Sequence, residues 1–297
     1  MIRTGTGASR VGPLLPAGHP LVVGIVNITE DSFSDGGRYL DPAAALAYAR
    51  KLRADGADII ELGPASSHPD SAPVTPAEER RRLAPVLKQL ATDEIPVSVD
   101  SFRRETLQLA IRRRAAYLND IHGFADPRMY PLLAGAECRL IVMHAVQAAG
   151  VATRVVTDPG AVWDGICEFF TRRLAALEAA GVDKDRLIID PGLGYFLGCT
   201  PGPSLAALAG IRQLKRTFDV PVMASPSRKS FLRALTGRDV TQSGAATLTA
   251  EIFAAWQGVD YIRTHDVAAA RDALTVLKAI TRGARCASLT SPVAAHD

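Results

Sequence analysis

The sequence has few cysteines and no long apolar run, and both absences limit where the protein can work. Its four cysteines, Cys138, Cys167, Cys199 and Cys286, are widely spaced and include no Cys-x-x-Cys pair. This spacing favours reduced thiols over a disulfide framework or a zinc site, so we expect a cytoplasmic protein. No apolar stretch approaches the roughly 18 residues that a membrane-spanning helix needs. The segment Met1–His19 also lacks the apolar core of a signal peptide.

Neither sign of charge dominates the chain. Lys and Arg together number 34 and Asp and Glu 31, so the net charge is +3. This balance gives no reason to expect a nucleic-acid or membrane partner, and we expect small-molecule ligands instead. The sequence also lacks His-Glu-x-x-His, a Walker phosphate loop and Gly-x-Ser-x-Gly. Metalloprotease, P-loop NTPase and serine-hydrolase functions are therefore disfavoured.

What the chain does contain is a regular alternation of short apolar runs and amphipathic segments. The apolar runs predict strands over Leu21–Asn27, Asp58–Gly63, Pro96–Asp100, Tyr117–Asp120, Arg139–His144, Arg186–Asp190, Val220–Ser225 and Tyr261–His265. Apolar residues at helical spacing predict helices that include Pro42–Leu52, Pro76–Leu90, Trp163–Ala180, Leu205–Lys215 and Ala246–Gln257.

Eight strands, each followed by a helix, predict an α/β fold of the (β/α)₈ TIM-barrel type. The competitor is a doubly wound open sheet, but the glycine-rich turn expected after an early strand of that fold is missing. The composition does not shift along the chain, so we predict a single barrel domain over 21–282. We expect a flexible segment over 1–20 and a frayed tail over 283–297.

The loop after the first predicted strand is unusually polar. Asn27 ends the strand, and carboxylates, hydroxyls, Phe33 and a Gly36-Gly37 pair follow before a helix opens at Asp41-Pro42. An ordinary strand-to-helix connection would explain the turn residues. A mobile loop that covers a pocket explains the whole segment better.

Polar residues also end the other predicted strands, and in such barrels the active site lies at those ends. They include Asp100, Asn119, Asp190, Arg263 and His265, with Ser227–Ser230 after the seventh strand. Taken singly, a strand-end Asp is more often a helix N-cap, His144 a core histidine and Ser227–Ser230 a solvated turn. Together the residues describe a pocket.

The residue types indicate what this pocket binds. Asp100, Asn119 and Asp190 need partners rich in N–H groups, as a flat aminopyrimidinone-like ring is, and Asn119 or Lys229 would meet its carbonyl. Lys229, Arg263 and His265 suit a phosphate or pyrophosphate. Asn27 adds an oxygen ligand for a Mg²⁺ ion shared with phosphate oxygens.

At this point the sequence resembles a known family, the dihydropteroate synthases, over roughly Val22 to Ala279. The matching motifs are Gly24–Thr29 with Asp31–Gly37, Val99-Asp100, Asn119–Ile121, Met143-His144, Asp190–Gly194, Ser227–Ser230 and Arg263–His265. The first motif and Ser-Arg-Lys-Ser are specific when they occur together in this order.

The resemblance implies a transferase that joins 6-hydroxymethyl-7,8-dihydropterin diphosphate to 4-aminobenzoate, giving 7,8-dihydropteroate and pyrophosphate by an SN1-like mechanism. It implies catalytic roles for Asp35, Asp100, Asp190 and Lys229. Pterin contacts would come from Asp100, Asn119, Met143, Asp190 and Lys229, and pyrophosphate contacts from Asn27, His68, Arg263 and His265. The aminobenzoate side would comprise Ser67, Pro69, Gly194, Tyr195, Phe196, Lys229 and Ser230. The resemblance also implies Mg²⁺ on Asn27 and a homodimer formed through roughly Ala245–Gln257 and Val267–Ile280.

The sequence departs from the family pattern near the aminobenzoate side. His68 stands where the second loop usually has an arginine, so a permanent charge becomes a titratable one. Tyr195-Phe196 replaces a stretch that is usually smaller and charged, and Ala224 stands where a glycine is common. The first two departures resemble the sulfonamide-insensitive synthases carried on mobile resistance elements. A bulky Phe196 would exclude a sulfonamide that extends beyond the aminobenzoate envelope.

Two alternatives share the barrel and the pterin slot. A pterin-dependent methyltransferase needs no pyrophosphate clamp, so Lys229, Arg263 and the Asp31–Gly37 loop argue against it. A pterin-binding barrel that has lost catalysis is the non-enzymatic alternative, and His68 is the feature that would suggest it. Pyrophosphate release with and without 4-aminobenzoate distinguishes both from the synthase.

Overall fold

The computed structural model describes residues 19–29 and 39–289, with the backbone alone described over 283–289. Within these ranges the strands are β1 (Leu21–Asn27), β2 (Ile59–Gly63), β3 (Val97–Asp100), β4 (Tyr117–Asp120), β5 (Arg139–Met143), β6 (Leu187–Asp190), β7 (Met223–Ala224) and β8 (Tyr261–Thr264). The helices are α1 (Pro42–Ala54), α2 (Pro76–Thr92), α3 (Arg104–Arg112), α4 (Tyr130–Gly135), α5 (Pro159–Ala179), α6 (Pro201–Ala209), α7 (Ile211–Phe218), α8 (Ser230–Thr236), α9 (Gly244–Trp256) and α10 (Val267–Leu289).

All the strand pairs are parallel, and the sheet order is β6-β5-β4-β3-β2-β1-β8-β7. A parallel bridge between Ile189 and Val222 joins the two ends of this order, and the Ile189 N–H donates to the Pro221 carbonyl at 2.9 Å. The sheet therefore curls back on itself with helices outside, and the predicted (β/α)₈ barrel is confirmed.

Helix starts follow the local capping signals. The Asp41 carboxylate accepts the Ala44 N–H at 3.1 Å and Pro42 occupies the first turn, so α1 begins where the Asp-Pro pair predicts. The same arrangement at Asp158-Pro159 starts α5 four residues before the predicted Trp163, because the cap lies upstream of the apolar periodicity.

The bounds of a predicted helix and of a predicted strand were wrong. The single helix expected over Leu205–Lys215 is broken at Gly210 into α6 and α7. A Cβ at Gly210 would lie 2.0 Å from the Trp163 ring, so only glycine allows this close approach to α5. The predicted strand Val220–Ser225 shortens to β7. The α10 backbone also stays helical to Leu289, beyond residue 282 where we placed the end of the barrel.

Inward side chains fill the barrel in layers. The lowest layer is apolar and includes Ile59, Tyr117, Ile141 and Tyr261. Because side chains alternate along a strand, residues two positions further on also point inward. They include Glu61, Asn119 and Arg263, and these form a polar layer directly beneath the mouth.

Other findings concern the chain as a whole. Cys138, Cys167 and Cys199 are free thiols, and the side chain of Cys286 lies outside the described residues. In the ranges that the structure describes, no helix combines the length and the apolar character that crossing a bilayer demands.

Candidate active site

One cavity lies at the C-terminal ends of the strands, and it gathers the predicted site residues. Its lining includes Asn27, Ser67, His68, Pro69, Asp100, Asn119, Met143, Asp190, Tyr195, Phe196, Lys229, Ser230, Arg263 and His265. Gly194 is not among these lining residues but lies next to one of them, since a Cβ on Gly194 would be 3.0 Å from the Ser230 Oγ. Asp35 is outside the described residues. The structure thus brings the predicted residues together, and the role of each stays a prediction.

A buried charge network forms the floor of this cavity. Glu61 on β2 is fully buried, and it is ion-paired with the guanidinium of Arg263 on β8. The Arg263 Nη2 also donates to the Asp100 carboxylate at 3.0 Å, and its Nη1 donates to the Ser225 Oγ at 3.3 Å. One cation therefore holds two carboxylates from separate strands, and only part of its donor capacity remains for a ligand.

Asn119 completes this floor. Its Nδ2 donates to the Glu61 Oε2 at 3.1 Å, and the Ser98 hydroxyl donates to the same oxygen at 2.8 Å. The Asn119 Oδ1 is buried and has no hydrogen-bond partner among the described residues. With one amide N–H engaged by Glu61 and no partner on Oδ1, the main group that Asn119 offers a ligand is an acceptor. It therefore suits an N–H group of a heterocycle.

Asp100 and Asp190 face the cavity from β3 and β6. Burial raises the pKa of Asp100 to about 7; the neighbouring Glu61 charge adds to the rise, and Arg263 and Lys229 oppose it. Burial raises the pKa of Asp190 to about 6, although the Gly192 N–H donates to its Oδ1 at 2.8 Å. Both carboxyls therefore change charge close to neutrality, which is common at functional sites.

Lys229 enters from the start of α8. Its Nζ lies 4.8 Å from the centre of the Phe196 ring, within cation–π range. Burial, followed by the charge of Arg263, lowers the pKa of Lys229 to about 8, against the attraction of Asp190 and Asp100. The ammonium is thus charged at neutral pH and is directed at the ring-binding part of the cavity.

His265 adds a hydrogen-bonding group rather than a charge. Its Nδ1 lies 2.9 Å from the Ser227 Oγ, and burial lowers its pKa well below 6.5, with Arg228 and Arg263 adding to the effect. The cationic residues that line the cavity are Arg228, Lys229, Arg233 and Arg263, and His265 would contact an anion as a neutral donor.

Tyr195 and Phe196 occupy different places, although they are adjacent in sequence. Phe196 is buried against Ile121, Met143 and Ala152 at the inner wall. Tyr195 lies further out, with its ring centroid 5.5 Å from that of His68 in an edge-on contact. Phe196 therefore forms the surface next to Lys229, and Tyr195 packs against the second loop.

Backbone conformation shapes the turn after β6. Gly192 has φ +74, and a Cβ there would lie 2.3 Å from the His144 carbonyl oxygen. Only glycine permits this turn, which aims its N–H at Asp190. His144 itself is buried outside the cavity, with its Nδ1 3.3 Å from the Pro191 carbonyl, and burial lowers its pKa to about 4. It is a core histidine, as the sequence predicts for this residue taken singly.

The residues around Asn27 could hold a hard cation. A Cβ on Gly63 would lie 3.4 Å from the Asn27 Oδ1, so the glycine leaves room beside this oxygen. The nearby Thr29 Oγ1 is buried without a partner among the described residues and also lines the cavity. Such oxygen donors fit Mg²⁺, whose remaining ligands would be phosphate oxygens and water.

Sequence reasoning missed two residues that organise the site. Glu61 interrupts the apolar run Ile59-Ile60-Glu61-Leu62, and this lone carboxylate in a buried strand was the available signal. Arg82 on α2 is buried, and its Nη1 donates to the carbonyls of Ile28 and Pro64 at 3.2 and 2.9 Å. It ties together the described ends of the first two loops, and nothing in its sequence context indicated this.

These features define a class of protein: a TIM-barrel enzyme whose mouth accepts a polar heterocycle beside an anion. Residues 23–265 match the family model for pterin binding enzymes. The chain is 55% identical to the dihydropteroate synthase type-2 of Escherichia coli over 265 residues, which are 89% of this chain and 97% of that protein.

Solved structures of dihydropteroate synthases are also similar to this chain. A Xanthomonas albilineans dihydropteroate synthase with 4-aminobenzoic acid is 36% identical, with a TM-score of 0.79, 89% of this chain covered and 94% of that one. The same organism's enzyme in complex with 7,8-dihydropteroate is 35% identical, with a TM-score of 0.77 and the same coverage. The chain therefore belongs to the dihydropteroate synthases, a group of transferases within the pterin-binding enzyme family. This confirms the predicted family and class of enzyme.

The charge network predicts a stability effect. Glu61→Gln leaves Arg263 buried with one carboxylate fewer, so we expect the free energy of unfolding in urea to fall by about 3 kcal/mol. The control is Glu168→Gln, which removes a carboxylate from the exposed pair with Arg172, and we expect it to change stability by less than about 0.5 kcal/mol. Equal effects of the two substitutions would contradict a central role for Glu61.

Proposed function

We propose that this protein condenses 6-hydroxymethyl-7,8-dihydropterin diphosphate with 4-aminobenzoate, giving 7,8-dihydropteroate and pyrophosphate. The observation that carries the proposal is one cavity that holds buried carboxylates, an amide oxygen without a partner among the described residues, and the cations Lys229 and Arg263 together. The relatives from Xanthomonas albilineans contain 4-aminobenzoic acid and 7,8-dihydropteroate, which are one substrate and one product of this reaction.

The pterin would lie over the polar floor. Asp190 and the Asn119 Oδ1 would accept hydrogen bonds from its amino and ring N–H groups. The second carboxylate oxygen of Asp190 takes no hydrogen bond from the described residues, so it is available for this contact. Lys229 would donate to its carbonyl, and Met143 would pack against its face. Asp100 would contact the other edge, held in position by Arg263.

The diphosphate would lie toward Asn27, Arg263 and His265. The Arg263 Nη1, which also donates to the Ser225 Oγ, and the neutral His265 would hydrogen-bond its oxygens, with His68 at the rim. Mg²⁺ held by Asn27 would supply charge neutralisation of the leaving group when bound. The predicted contribution of Asp35 stays a prediction, since that residue lies outside the described residues.

The proposed chemistry is SN1-like. The bond between the pterin methylene carbon and the diphosphate oxygen breaks, and the electron pair leaves with pyrophosphate. Asp100 and Asp190 stabilise the resulting cation through the ring. The aniline nitrogen of 4-aminobenzoate then forms the C–N bond and loses one proton. Because this amine is already a nucleophile, the site needs to position it rather than deprotonate it beforehand.

4-Aminobenzoate would enter between the second loop and the wall after β6. Ser67, Pro69 and Ser230 would contact its polar groups, Phe196 would face its ring, and Gly194 would keep the wall thin behind Ser230. Lys229 would lie near both substrates. The methyltransferase and inactive-barrel alternatives do not explain this part of the cavity, because neither uses 4-aminobenzoate as a substrate.

We further propose a homodimer through α9 and α10. These helices pack together and leave Phe253, Trp256, Val276 and Ile280 with 41%, 59%, 58% and 62% of their surface exposed. An apolar patch of this kind is typical of an interface. The single domain over 21–282 and the cytoplasmic location remain predictions of the sequence.

The function is tested by pyrophosphate release with and without 4-aminobenzoate. We expect the release to depend on 4-aminobenzoate and kcat to fall about 100-fold in Asp190→Ala, because a carboxylate beside the developing cation is lost. Asp164→Ala, an exposed change on α5, is the matched control. Multiple-turnover release that does not require 4-aminobenzoate, or full turnover in Asp190→Ala, would overturn the proposal.

The pKa directions predict a bell-shaped pH profile. Asp190 and Asp100 ionise above about 6 and 7, and Lys229 stays protonated below about 8. Because catalysis needs both carboxylates charged and the ammonium intact, we expect kcat/KM for the pterin diphosphate to peak between these limits. The ionisation of the substrate is measured separately by titration. A profile that is flat from pH 5 to 9 would contradict these assignments.

Sulfonamide insensitivity is a further part of the proposal. Phe196 is buried behind Lys229 and narrows the aminobenzoate side, so a longer inhibitor would collide with the wall. We expect Phe196→Ala to lower the inhibition constant of sulfamethoxazole at least about tenfold, with a smaller change in KM for 4-aminobenzoate. Leu132→Ala, an exposed change on α4, is the control. An unchanged inhibition constant would exclude Phe196 as the cause.

A further inference from the structure

A segment between β5 and α5 crosses the aminobenzoate side of the cavity. We call residues 146–157 the strap. Both ends of the strap are hydrogen-bonded to the chain after β6, here called the wall, residues 194–199. The Val146 N–H donates to the Phe196 carbonyl at 2.9 Å. The Thr157 hydroxyl donates to the Leu197 carbonyl at 2.5 Å, and the Cys199 N–H to the Val155 carbonyl at 2.8 Å.

The middle of the strap is joined to the second loop, residues 64–71. The Ala152 N–H donates to the Ser67 carbonyl at 3.0 Å. Arg154 forms a two-pronged ion pair with Asp70, one Nη on each carboxylate oxygen, with Nη1 at 2.6 Å from Oδ1. The strap therefore connects two segments, the second loop and the wall, that would both contact 4-aminobenzoate.

Arg154 contacts both of these segments at once. Besides the Asp70 pair, its guanidinium lies 5.4 Å from the centre of the Tyr195 ring, whose other neighbour is His68. Tyr195 is thus packed between the strap and the second loop. Ala152, two residues away, is buried against Phe196 and Met143. The strap reaches from the rim of the cavity to its inner wall.

An exposed ion pair alone contributes little to stability, and here Arg154 and Asp70 leave 47% and 59% of their side chains exposed. Three features distinguish this pair. Its fork geometry fixes orientation, it joins positions 84 residues apart, and the same guanidinium stacks on an aromatic ring. Such a contact orders loops more than it stabilises a core. The hydrogen bonds from Arg154 also lower the pKa of Asp70, so its carboxylate stays charged at neutral pH.

We propose that Arg154 is a positioning residue for the second substrate. Through Asp70 and Tyr195 it holds Ser67, His68 and Pro69 against the wall, so that the aminobenzoate side of the cavity is assembled before 4-aminobenzoate arrives. This inference rests on the proposed function. Pre-assembly lowers the ordering cost of binding, and its loss appears in the KM of the substrate that uses those loops.

The kinetic test compares Arg154→Ala and Arg154→Lys. We expect Arg154→Ala to raise KM for 4-aminobenzoate about tenfold, while kcat and KM for the pterin diphosphate stay within about twofold. Arg154→Lys keeps the charge without the fork, so it recovers only part of the loss. The matched control is Arg50→Ala. Arg50 on α1 is 51% exposed and pairs with Asp93 at the end of α2, and we expect no change in either KM.

Two further measurements separate positioning from a general loss of structure. The exchanged pair Arg154→Asp with Asp70→Arg restores the ion pair and brings KM back toward the wild-type value. Amide hydrogen exchange, compared between the wild-type protein and Arg154→Ala without substrates, measures directly how well the strap is ordered. We expect exchange to rise about tenfold in peptides that contain Ala152 and to stay unchanged in α9.

The proposal is overturned if Arg154→Ala leaves KM for 4-aminobenzoate unchanged, or if it alters both KM values and kcat equally. Unchanged exchange at Ala152 overturns it as well. Should the wild-type protein form no dihydropteroate, the proposed function fails on its own. The exchange experiment then still decides whether Arg154 holds the strap and the second loop together.

Discussion

The site depends on the ion pair between Glu61 and Arg263 inside the barrel. Removing a carboxylate and a guanidinium from water costs several kcal/mol each unless they find close partners. Here Ser98, Asn119 and Asp100 supply close partners for Glu61 and Arg263, and the Asn119 Oδ1 and part of the Arg263 donor capacity stay open to a ligand. Burial alone would lower the pKa of Arg263, but Glu61 and Asp100 outweigh it and raise that pKa. The guanidinium at the floor of the cavity therefore stays charged, held between carboxylates from two strands.

This floor determines which groups remain free for substrates. Arg263 neutralises much of Asp100 and Glu61, whereas Asp190 and Lys229 form no ion pair with the described residues. These two, with the Asn119 Oδ1, are the groups most open to a ligand. The shifted pKa values of Asp190 and Lys229 follow from burial and from the neighbouring charges, not from an ion pair. A heterocycle that carries both N–H groups and a carbonyl matches their arrangement.

Two of the departures from the family pattern, His68 and the pair Tyr195-Phe196, share one corner of the molecule. His68, Tyr195 and Phe196 come from two connections, and the strap between β5 and α5 contacts both of them. The pterin side relies on strands, which hold side chains firmly, while the aminobenzoate side relies on loops that must be held by each other. Changes in substrate discrimination are therefore easier to accommodate at the second side than at the first.

The alternation of apolar runs and amphipathic segments was enough to predict the barrel, because strand and helix periods are local properties of the chain. Strand-end residues such as Asp100, Asn119 and Asp190 were predictable as neighbours, since parallel strands present their carboxyl ends at one mouth. Glu61, Arg82 and Arg154 were not, because their partners lie 202, 54 and 84 residues away in the chain. Only the closed barrel decides which charges meet, which oxygen of Asn119 stays open, and that His265 is neutral, because burial and long-range contacts set these properties.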